Sequence, residues 1–224
     1  MTSSPDIALS VEGLEVIFSD ASGVVHALSD LSFSLASNIV PPTKGQFHFY
    51  NHHDKVGLVF QKPNLMPWRR VIDNVSLPLE LNDIPRENIE NQAHELIKLV
   101  GLEGFENAYP RDLSGGMAQR VAIARSLMQD PVILLLDEPF GSLDALTREV
   151  MGDELLHIWQ AKRKTVLMVT HSISEAIYLS DKVFVLSHRP GKIVLELPVD
   201  LPRPRTPDMR YSPEFSSLAH TLRD

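Results

Sequence analysis

The chain contains no cysteine, no excess of positive charge and no long hydrophobic run. The absence of cysteine excludes disulfide bonds and thiol chemistry, and it favours a reducing compartment. Lys and Arg number 21 against 29 Asp and Glu, a net charge of −8, which argues against nucleic acid as the main partner. No apolar run approaches the ~20 residues that span a bilayer, and residues 1–20 lack a signal-peptide core. We therefore expect a soluble intracellular protein, with a peripheral membrane location left open.

The 224 residues, 43% of them hydrophobic, suffice for one domain or for a domain with a subdomain. Apolar residues alternate over 9–18 and 27–35, which predicts an antiparallel pair of strands. Apolar runs predict a short strand at 55–60 and buried strands at 132–137, 165–170 and 182–187. Apolar residues with helical spacing predict helices at 89–100, 116–129 and 151–159. Strands that alternate with helices indicate a parallel sheet of α/β type.

Two strings carry the chemistry. Residues 113–120 read Leu-Ser-Gly-Gly-Met-Ala-Gln-Arg, which opens a helix with a serine and two glycines and so forms an anion site. A buried strand ends in Asp137 and Glu138, at the edge where open α/β sheets bind ligands. Phosphoryl transfer to water needs a cation and a group that orients the water. Asp137 suits the cation, as a magnesium ligand, and Glu138 suits the general base. The alternative is a strand that ends in acidic residues without function.

Together the two strings resemble the signature and Walker B motifs of the ATP-binding cassette (ABC) family, over residues 9–198. The resemblance implies that Ser114, Gly115 and Gly116 bind the γ-phosphate of ATP held by a second subunit in a head-to-tail dimer. Glycines there allow close backbone approach. Asp144, in the string Ser-Leu-Asp at 142–144, resembles the D-loop of the family and is assigned to nucleotide binding.

Three further residues resemble family positions outside the two strings. Gln61, at a strand end, resembles the Q-loop glutamine that contacts magnesium and water. His171 follows a strand 34 residues after Asp137 and resembles the H-loop histidine that touches the γ-phosphate. Phe18 is a candidate for stacking on adenine, with burial in the core as its alternative. A cluster of His48, His52 and His53 is better explained by a surface loop than by a metal site, because no carboxylate or cysteine apart from Asp54 completes a ligand set.

The phosphate loop G-x-x-x-x-G-K-[ST] is absent from the sequence. The gap falls between Leu35 and Ile39, and a strand of ~5, a loop of 8 and a helix of ~11 residues amount to roughly 24 missing residues. Three explanations remain: an omitted segment, a deletion in the gene, or an evolved homologue that binds no nucleotide. The last is the least expected, because Glu138 and His171 are both retained.

The resemblance implies a P-loop NTPase-like α/β fold with a parallel sheet core, an N-terminal antiparallel β subdomain and a helical signature subdomain, in which the central βα unit is missing. The expected ATP-binding domain covers residues 5–198, with its helical subdomain at about 62–128. Residues 199–224 are rich in proline and predict an extended tail with little packed structure.

By this resemblance the chain is an ATP-binding and ATP-hydrolysing subunit of an ABC importer of the nitrate, sulfonate and taurine type, with ATP and Mg²⁺ as cofactors. The implied partners are a permease, docked near Pro67 and Trp68, a second ATP-binding subunit and, indirectly, a solute-binding protein, at the cytoplasmic face of the plasma membrane. Without the phosphate loop, ATP binding and hydrolysis are expected to be impaired. The alternative is a pseudo-ATPase that only donates its signature face to an intact partner. DNA-repair relatives would need heptad arms or zinc-binding cysteines, which the sequence lacks.

Overall fold

The structure is a computed structural model that describes residues 9–20, 23–33, 44–49, 55–82 and 84–223. Its elements in chain order are β1 (Leu9–Asp20), β2 (Gly23–Phe33), β3 (Lys44–Phe49), β4 (Val56–Val59), α1 (Val71–Glu80), α2 (Arg86–Leu99), α3 (Gly115–Leu127), β5 (Ile133–Asp137), α4 (Ala145–Lys162), β6 (Thr165–Val169), α5 (Ile173–Leu179), β7 (Lys182–Leu186), β8 (Ile193–Pro198) and α6 (Pro213–Thr221). They fall into two compact units. We call Lys55–His171 the sheet–helix unit, and Met1–Asp54 with Ser172–Asp224 the terminal unit.

The core of the sheet–helix unit is a parallel sheet with the strand order β4-β5-β6. The central strand β5 buries every residue from Ile133 to Leu136, as expected for a parallel strand covered on both faces. Helix α3 packs against β4, and α1 and α2 pack against α3. The predicted parallel sheet is therefore confirmed, and the helices α1 to α3 lie within the range 62–128 that was assigned to the helical subdomain. The outer limits of the domain, 5–198, stay a prediction.

The prediction that residues 165–170 form a buried strand is wrong in its burial. Strand β6 forms at Thr165–Val169, but its three middle residues are only half-buried and Val169 is 55% exposed. The physical reason is that β6 pairs only with β5 among the described strands and that its side chains lack the cover that α3 gives to the other edge strand, β4. The predicted strand at 182–187 also differs from expectation. It forms β7, which pairs antiparallel with β8 in the terminal unit.

The helices begin and end at recognisable signals. Helix α2 was predicted over 89–100; it begins three residues earlier, and Gly101 follows its last turn with a φ of +64°. There the Gly101 N–H donates to the Lys98 carbonyl and the Leu102 N–H to the Ile97 carbonyl, which is the Schellman termination. Helix α4 ends in the same left-handed region at Arg163, with a φ of +48°. The predicted helix at 116–129 forms as α3.

The terminal unit contains two antiparallel sheets. The first has the strand order β2-β1-β3, with Phe18 opposite Val25, which confirms the predicted antiparallel pair. The residues between its first two strands, 21–22, and the junction at 35–39 lie outside the described part of the chain. Within the described ranges, no helix combines the length and the apolar character that a membrane span requires.

The expectation of an unpacked tail beyond residue 198 is wrong. A 3-10 helix (Pro207–Tyr211) and α6 form there, and Phe215 is buried. The Arg205 guanidinium donates to the carbonyls of Ile177 and Tyr178 in α5, and burial lowers the pKa of Arg205 to about 10. The prolines suggested an extended segment, but a proline at the first position of a helix favours the start of that helix. The signal at Ser212 was present, since its hydroxyl caps α6 by accepting from the Phe215 N–H.

Candidate functional site

Three predicted side chains meet at the carboxyl ends of the parallel strands. Gln61 follows β4, Glu138 follows β5 and His171 follows β6. The Gln61 Nε2 donates to Glu138 Oε2 over 3.2 Å, and the His171 Nδ1 lies 3.3 Å from the same oxygen. We call these three residues the carboxylate cluster. Because consecutive strands of one sheet deliver them, the cluster depends only on β4, β5 and β6, all of which are present.

The main chain at Glu138 is held in an uncommon conformation. Its φ is +42°, in the left-handed region that few residues other than glycine adopt. The Glu138 N–H donates to the Val169 carbonyl over 2.9 Å, and the Gly141 N–H donates back to the Glu138 carbonyl over 3.0 Å. This turn directs the Glu138 side chain back across the strand ends towards Gln61 and His171.

Gly141 is a site residue that the sequence reasoning missed. A Cβ atom on Gly141 would lie 3.0 Å from Gln61 Nε2 and 3.1 Å from Glu138 Oε2. The glycine therefore leaves the space in which the carboxylate and the amide meet. Its sequence signal was a glycine three residues after the predicted base, which close backbone approach would have explained.

The donor set around Asp137 fits Mg²⁺. Asp137 is the last residue of β5 and is exposed, so its carboxylate oxygens are accessible at the strand end. Gln61 uses its amide nitrogen for Glu138, which leaves its amide oxygen for another partner. Mg²⁺ is usually held by one or two carboxylates together with substrate phosphates rather than by an all-protein cage. Accordingly, the described residues contain no group of three or more His, Cys, Asp or Glu side chains that could hold a metal by themselves.

The serine and glycines of the signature string open α3. The Ser114 hydroxyl accepts from the Met117 N–H over 3.2 Å and so caps the helix. Ser114 and Gly115 are exposed, whereas Gly116 is buried. A Cβ atom on Gly116 would lie 3.2 Å from Thr147 Cγ2, so the packing of α3 against α4 explains this glycine without a ligand. The exposed N-terminal turn of α3 remains the anion site that the sequence predicts.

Asp144 has a structural role beside its predicted one. Its carboxylate accepts from the Thr147 N–H over 3.0 Å and from the Thr147 hydroxyl over 2.6 Å, which caps α4. These hydrogen bonds, the one from the hydroxyl foremost, hold the pKa of the Asp144 carboxyl below its usual value. The side chain of Phe18 lies outside the described part of the chain, as do His52 and His53. Their predicted roles stay predictions.

Two polar side chains of α3 hold the segment that carries Gln61, and the sequence reasoning missed both. The buried Gln119 donates through Nε2 to the Phe60 carbonyl over 3.1 Å. Arg125 donates to the carbonyls of Pro63 and Asn64 over 2.7 and 2.9 Å, and burial lowers the pKa of its guanidinium. The helix whose first turn is the predicted anion site therefore also fixes the strand end that carries Gln61.

The loop beyond Gln61 is fixed at its far end by Asn74. This fully buried amide accepts from the Met66 N–H over 2.7 Å and donates to the carbonyls of Met66, Arg69 and Arg70. On this loop the indole of Trp68 is 72% exposed. A loop that is fixed by hydrogen bonds and presents an exposed tryptophan is suited to a protein interface.

Comparison with known proteins places these features in a family. The sequence profile of the ABC transporter family matches residues 33–141. An uncharacterised ABC transporter ATP-binding protein of Methanocaldococcus jannaschii is 58% identical over 159 residues, which are 71% of this chain and 58% of that protein. A taurine import ATP-binding protein of Rhizobium johnstonii is 48% identical over 172 residues, 75% of this chain and 66% of that one. The chain thus spans about three fifths to two thirds of the length of these relatives.

An aliphatic sulfonates import ATP-binding protein of Bacillus cereus, here called the sulfonate relative, is 37% identical over 227 residues, with 89% of each chain covered. Among solved structures, a dimeric ATP-binding cassette in a post-hydrolysis state, bound to ADP and Pi, superposes with a TM-score of 0.73. It is 27% identical, and the match covers 86% of this chain and 99% of that one. The strand order, the carboxylate cluster and the capped α3 therefore occur in a chain that resembles ATP-binding proteins of ABC transporters in both sequence and fold.

Proposed function

The chain belongs to the ATP-binding proteins of ABC transporters, and on that premise we propose that it is the ATP-hydrolysing subunit of an importer for a small anionic or organic solute of the nitrate, sulfonate or taurine kind. The observation that carries the proposal is the carboxylate cluster, in which Gln61 and His171 hold one oxygen of Glu138. The other oxygen, Oε1, is left to accept a proton from water. The solute class is supported by the names of the taurine and sulfonate relatives.

Each residue of the site has a defined task in this mechanism. Glu138 orients a water molecule and accepts its proton, and His171 and Gln61 fix the carboxylate in position. Mg²⁺, held by Asp137 and Gln61, would neutralise charge on the phosphates. The exposed first turn of α3, with Ser114 and Gly115, offers main-chain N–H groups to a phosphate held by a second subunit. The remaining task, holding the phosphates of the ATP bound by this chain, belongs to the phosphate loop that the sequence lacks.

The test restores that loop in the same chain. The strand–loop–helix segment of the sulfonate relative is inserted between Leu35 and Ile39, and ATP hydrolysis is measured with Mg²⁺. We expect hydrolysis by the restored chain and weak Mg-ATP binding by the parent, because the cradle's charge-assisted hydrogen bonds contribute about 1.5–3 kcal/mol each.

Glu138→Gln in the restored chain is the matched variant. It should abolish turnover while preserving nucleotide binding, since the amide fits the same place but accepts no proton. Hydrolysis within about threefold of the restored parent would mean that Glu138 is not the base. No hydrolysis by the restored parent itself would refute the proposal.

A second candidate function, the pseudo-ATPase that only donates its signature face, is favoured by the absent loop together with the exposed Ser114. A mixed dimer with an intact homologue should then keep ATPase activity, and Ser114→Arg in this chain should remove it. Ser212→Arg is the control, because it removes a serine cap from α6 in the same way. Equal activity of the two variants would exclude the signature face from the reaction.

The proposed permease contact rests on Trp68. Trp68→Ala should weaken co-purification with a permease, because exposed tryptophans on held loops contribute strongly to interfaces. Tyr211→Ala, at a residue that is 81% exposed, is the control and should leave co-purification unchanged. Peripheral attachment at the cytoplasmic face of the membrane through this contact stays a prediction.

A further inference from the structure

The outer edge of β6 carries main-chain groups that no described strand pairs with. The Thr165 N–H donates to the Val132 carbonyl, and the Val169 carbonyl accepts from the Glu138 N–H, so these two residues direct their groups towards β5. Successive residues of a strand direct theirs to opposite sides, and Val166 and Met168 therefore direct their N–H and C=O groups away from β5. The described strands leave two donors and two acceptors at this edge.

The side chains of β6 also lack a cover that parallel strands normally have. Val169 is 55% exposed, whereas Val59, on the opposite edge strand β4, is 1% exposed. Protein edges that remain open usually carry lysine, proline or a bulge that prevents pairing. The β6 sequence, Thr-Val-Leu-Met-Val, has none of these. This edge has the composition of an interior strand.

The alignment with the sulfonate relative gives the size of what is missing. Its 227 aligned positions cover only 89% of the 224 residues of this chain, so about 28 positions are gaps here. That length accommodates one strand, a loop and one helix of average size. A strand added parallel to β6 would end at the same edge of the sheet as Asp137 and His171, next to the carboxylate cluster.

We propose that the open edge of β6 accepts a strand from a separate polypeptide, an apolar segment that pairs in parallel and continues into a glycine-rich phosphate loop and a helix. The ATP site is then completed in trans. This inference rests on the proposed function. A second copy of β6 fits the edge less well, because two-fold symmetry would pair the strands antiparallel and would supply no phosphate loop.

The experiment adds a fluorescently labelled synthetic peptide, the strand–loop–helix segment of the sulfonate relative, to the full chain without nucleotide, and follows anisotropy. We expect saturable binding, and binding at least about tenfold weaker for Val169→Asp, because the new carboxylate would be buried against the added strand. Val194→Asp is the matched control. Val194 is a strand valine of similar exposure, 62%, in β8, and the variant should bind like the parent.

Hydrogen exchange on the unmodified chain gives a second readout that does not depend on how a variant folds. The peptide should slow exchange of the Val166 and Met168 amides, which face the open edge, and leave that of Leu167, which faces β5, unchanged. Non-saturable binding, or equal protection of all three amides, would overturn the proposal. Protection of Val166 and Met168 without peptide, in a dimer that Val169→Asp dissociates, would assign the edge to a second copy and would also overturn it.

The two proposals fail separately. If the chain with the segment inserted hydrolyses ATP but the free peptide does not bind, the site is completed only within one chain and the inference in trans is wrong. If the peptide binds and protects the edge amides but the inserted chain does not hydrolyse ATP, the edge is a strand acceptor and the proposed ATPase is wrong.

Discussion

The two edges of the parallel sheet differ sharply although their sequences are similar. At the β4 edge, Gly57 and Val59 are buried and α3 packs over the strand. At the β6 edge, Val169 is half-exposed and the middle residues are only half-buried. Both strands consist mainly of apolar residues. Burial is therefore decided by the elements that cover a strand, and a hydrophobic sequence alone does not identify a covered one.

The same comparison explains how the carboxylate cluster forms in a chain without a phosphate loop. The β4 edge supplies Gln61, fixed through Gln119 and Arg125, and the β6 edge supplies His171. Both reach Glu138 on the central strand, so the cluster needs no strand beyond β6. The half of the site that we propose orients water is therefore formed by β4, β5 and β6 alone, without the absent phosphate loop.

The largest expected effect is at the β4 edge, over which α3 packs. A Cβ atom on Gly57 would lie 2.9 Å from Leu134 Cδ1 and 3.1 Å from the Ser126 carbonyl oxygen, so Gly57→Val should lower the free energy of unfolding by about 3 kcal/mol. Gly57→Ala should have a smaller effect in the same direction. Urea unfolding followed by tryptophan fluorescence measures this, since both tryptophans, Trp68 and Trp159, lie in the sheet–helix unit. Unfolding of Gly57→Val at the parent's midpoint would show that this edge is not tightly packed.

One substitution made at both edges tests the comparison directly. Val59→Ala removes two methyl groups from a site that is 1% exposed and should cost about 2 kcal/mol. Val169→Ala makes the same change at a site that is 55% exposed and should cost less than about 0.5 kcal/mol. Once the peptide covers β6, the cost of Val169→Ala should rise towards that of Val59→Ala. Equal costs in the parent chain without peptide would show that the β6 edge is already covered.

The sequence identified the parts of the site that strand ends determine. Asp137 and Glu138 could be predicted because they end a buried strand of a parallel sheet, at the edge where such sheets bind ligands. Gln61 and His171 were predicted from their resemblance to family positions at strand ends. The contacts that hold them could not, since Gln119 has the appearance of an ordinary polar residue on a helix until its carbonyl partner is known. They depend on the packing of α3 against β4, which residue periodicity does not specify.

Two predicted residues acquired a second explanation in the fold. Gly116 packs against α4, and Asp144 caps that helix. Both lie in strings whose family resemblance pointed to nucleotide, and both would be required by the packing alone. A motif can therefore be needed for packing and capping as well as for ligand binding. Only variants that separate these two roles, such as Ser114→Arg beside Ser212→Arg, distinguish them.

A further small effect is expected at an ion pair that joins the segments leading into β5 and β6. The Lys164 ammonium donates to Asp130 Oδ1 over 2.8 Å, and this hydrogen bond, the largest cause, holds the pKa of the Asp130 carboxyl below its usual value. Asp130 is largely exposed, so Asp130→Asn should lower the free energy of unfolding at pH 7 by less than about 1 kcal/mol. Asparagine tolerates the φ of +50° at this position.

The pH dependence of the same variant tests whether the ionised Asp130 carboxylate stabilises the fold. Because the pKa is lower in the folded state, the stabilisation is present above the unfolded pKa of about 4 and is lost as the pH falls through the folded value. Parent and Asp130→Asn should therefore differ at pH 7 and converge below about pH 3. Glu103→Gln, which breaks a 3.8 Å pair with Lys98 exposed on both sides, is the control and should have a smaller effect at pH 7. A difference between parent and Asp130→Asn that persists unchanged at low pH would show that the asparagine acts on the backbone. The ion pair would then not stabilise the segments that lead into β5 and β6.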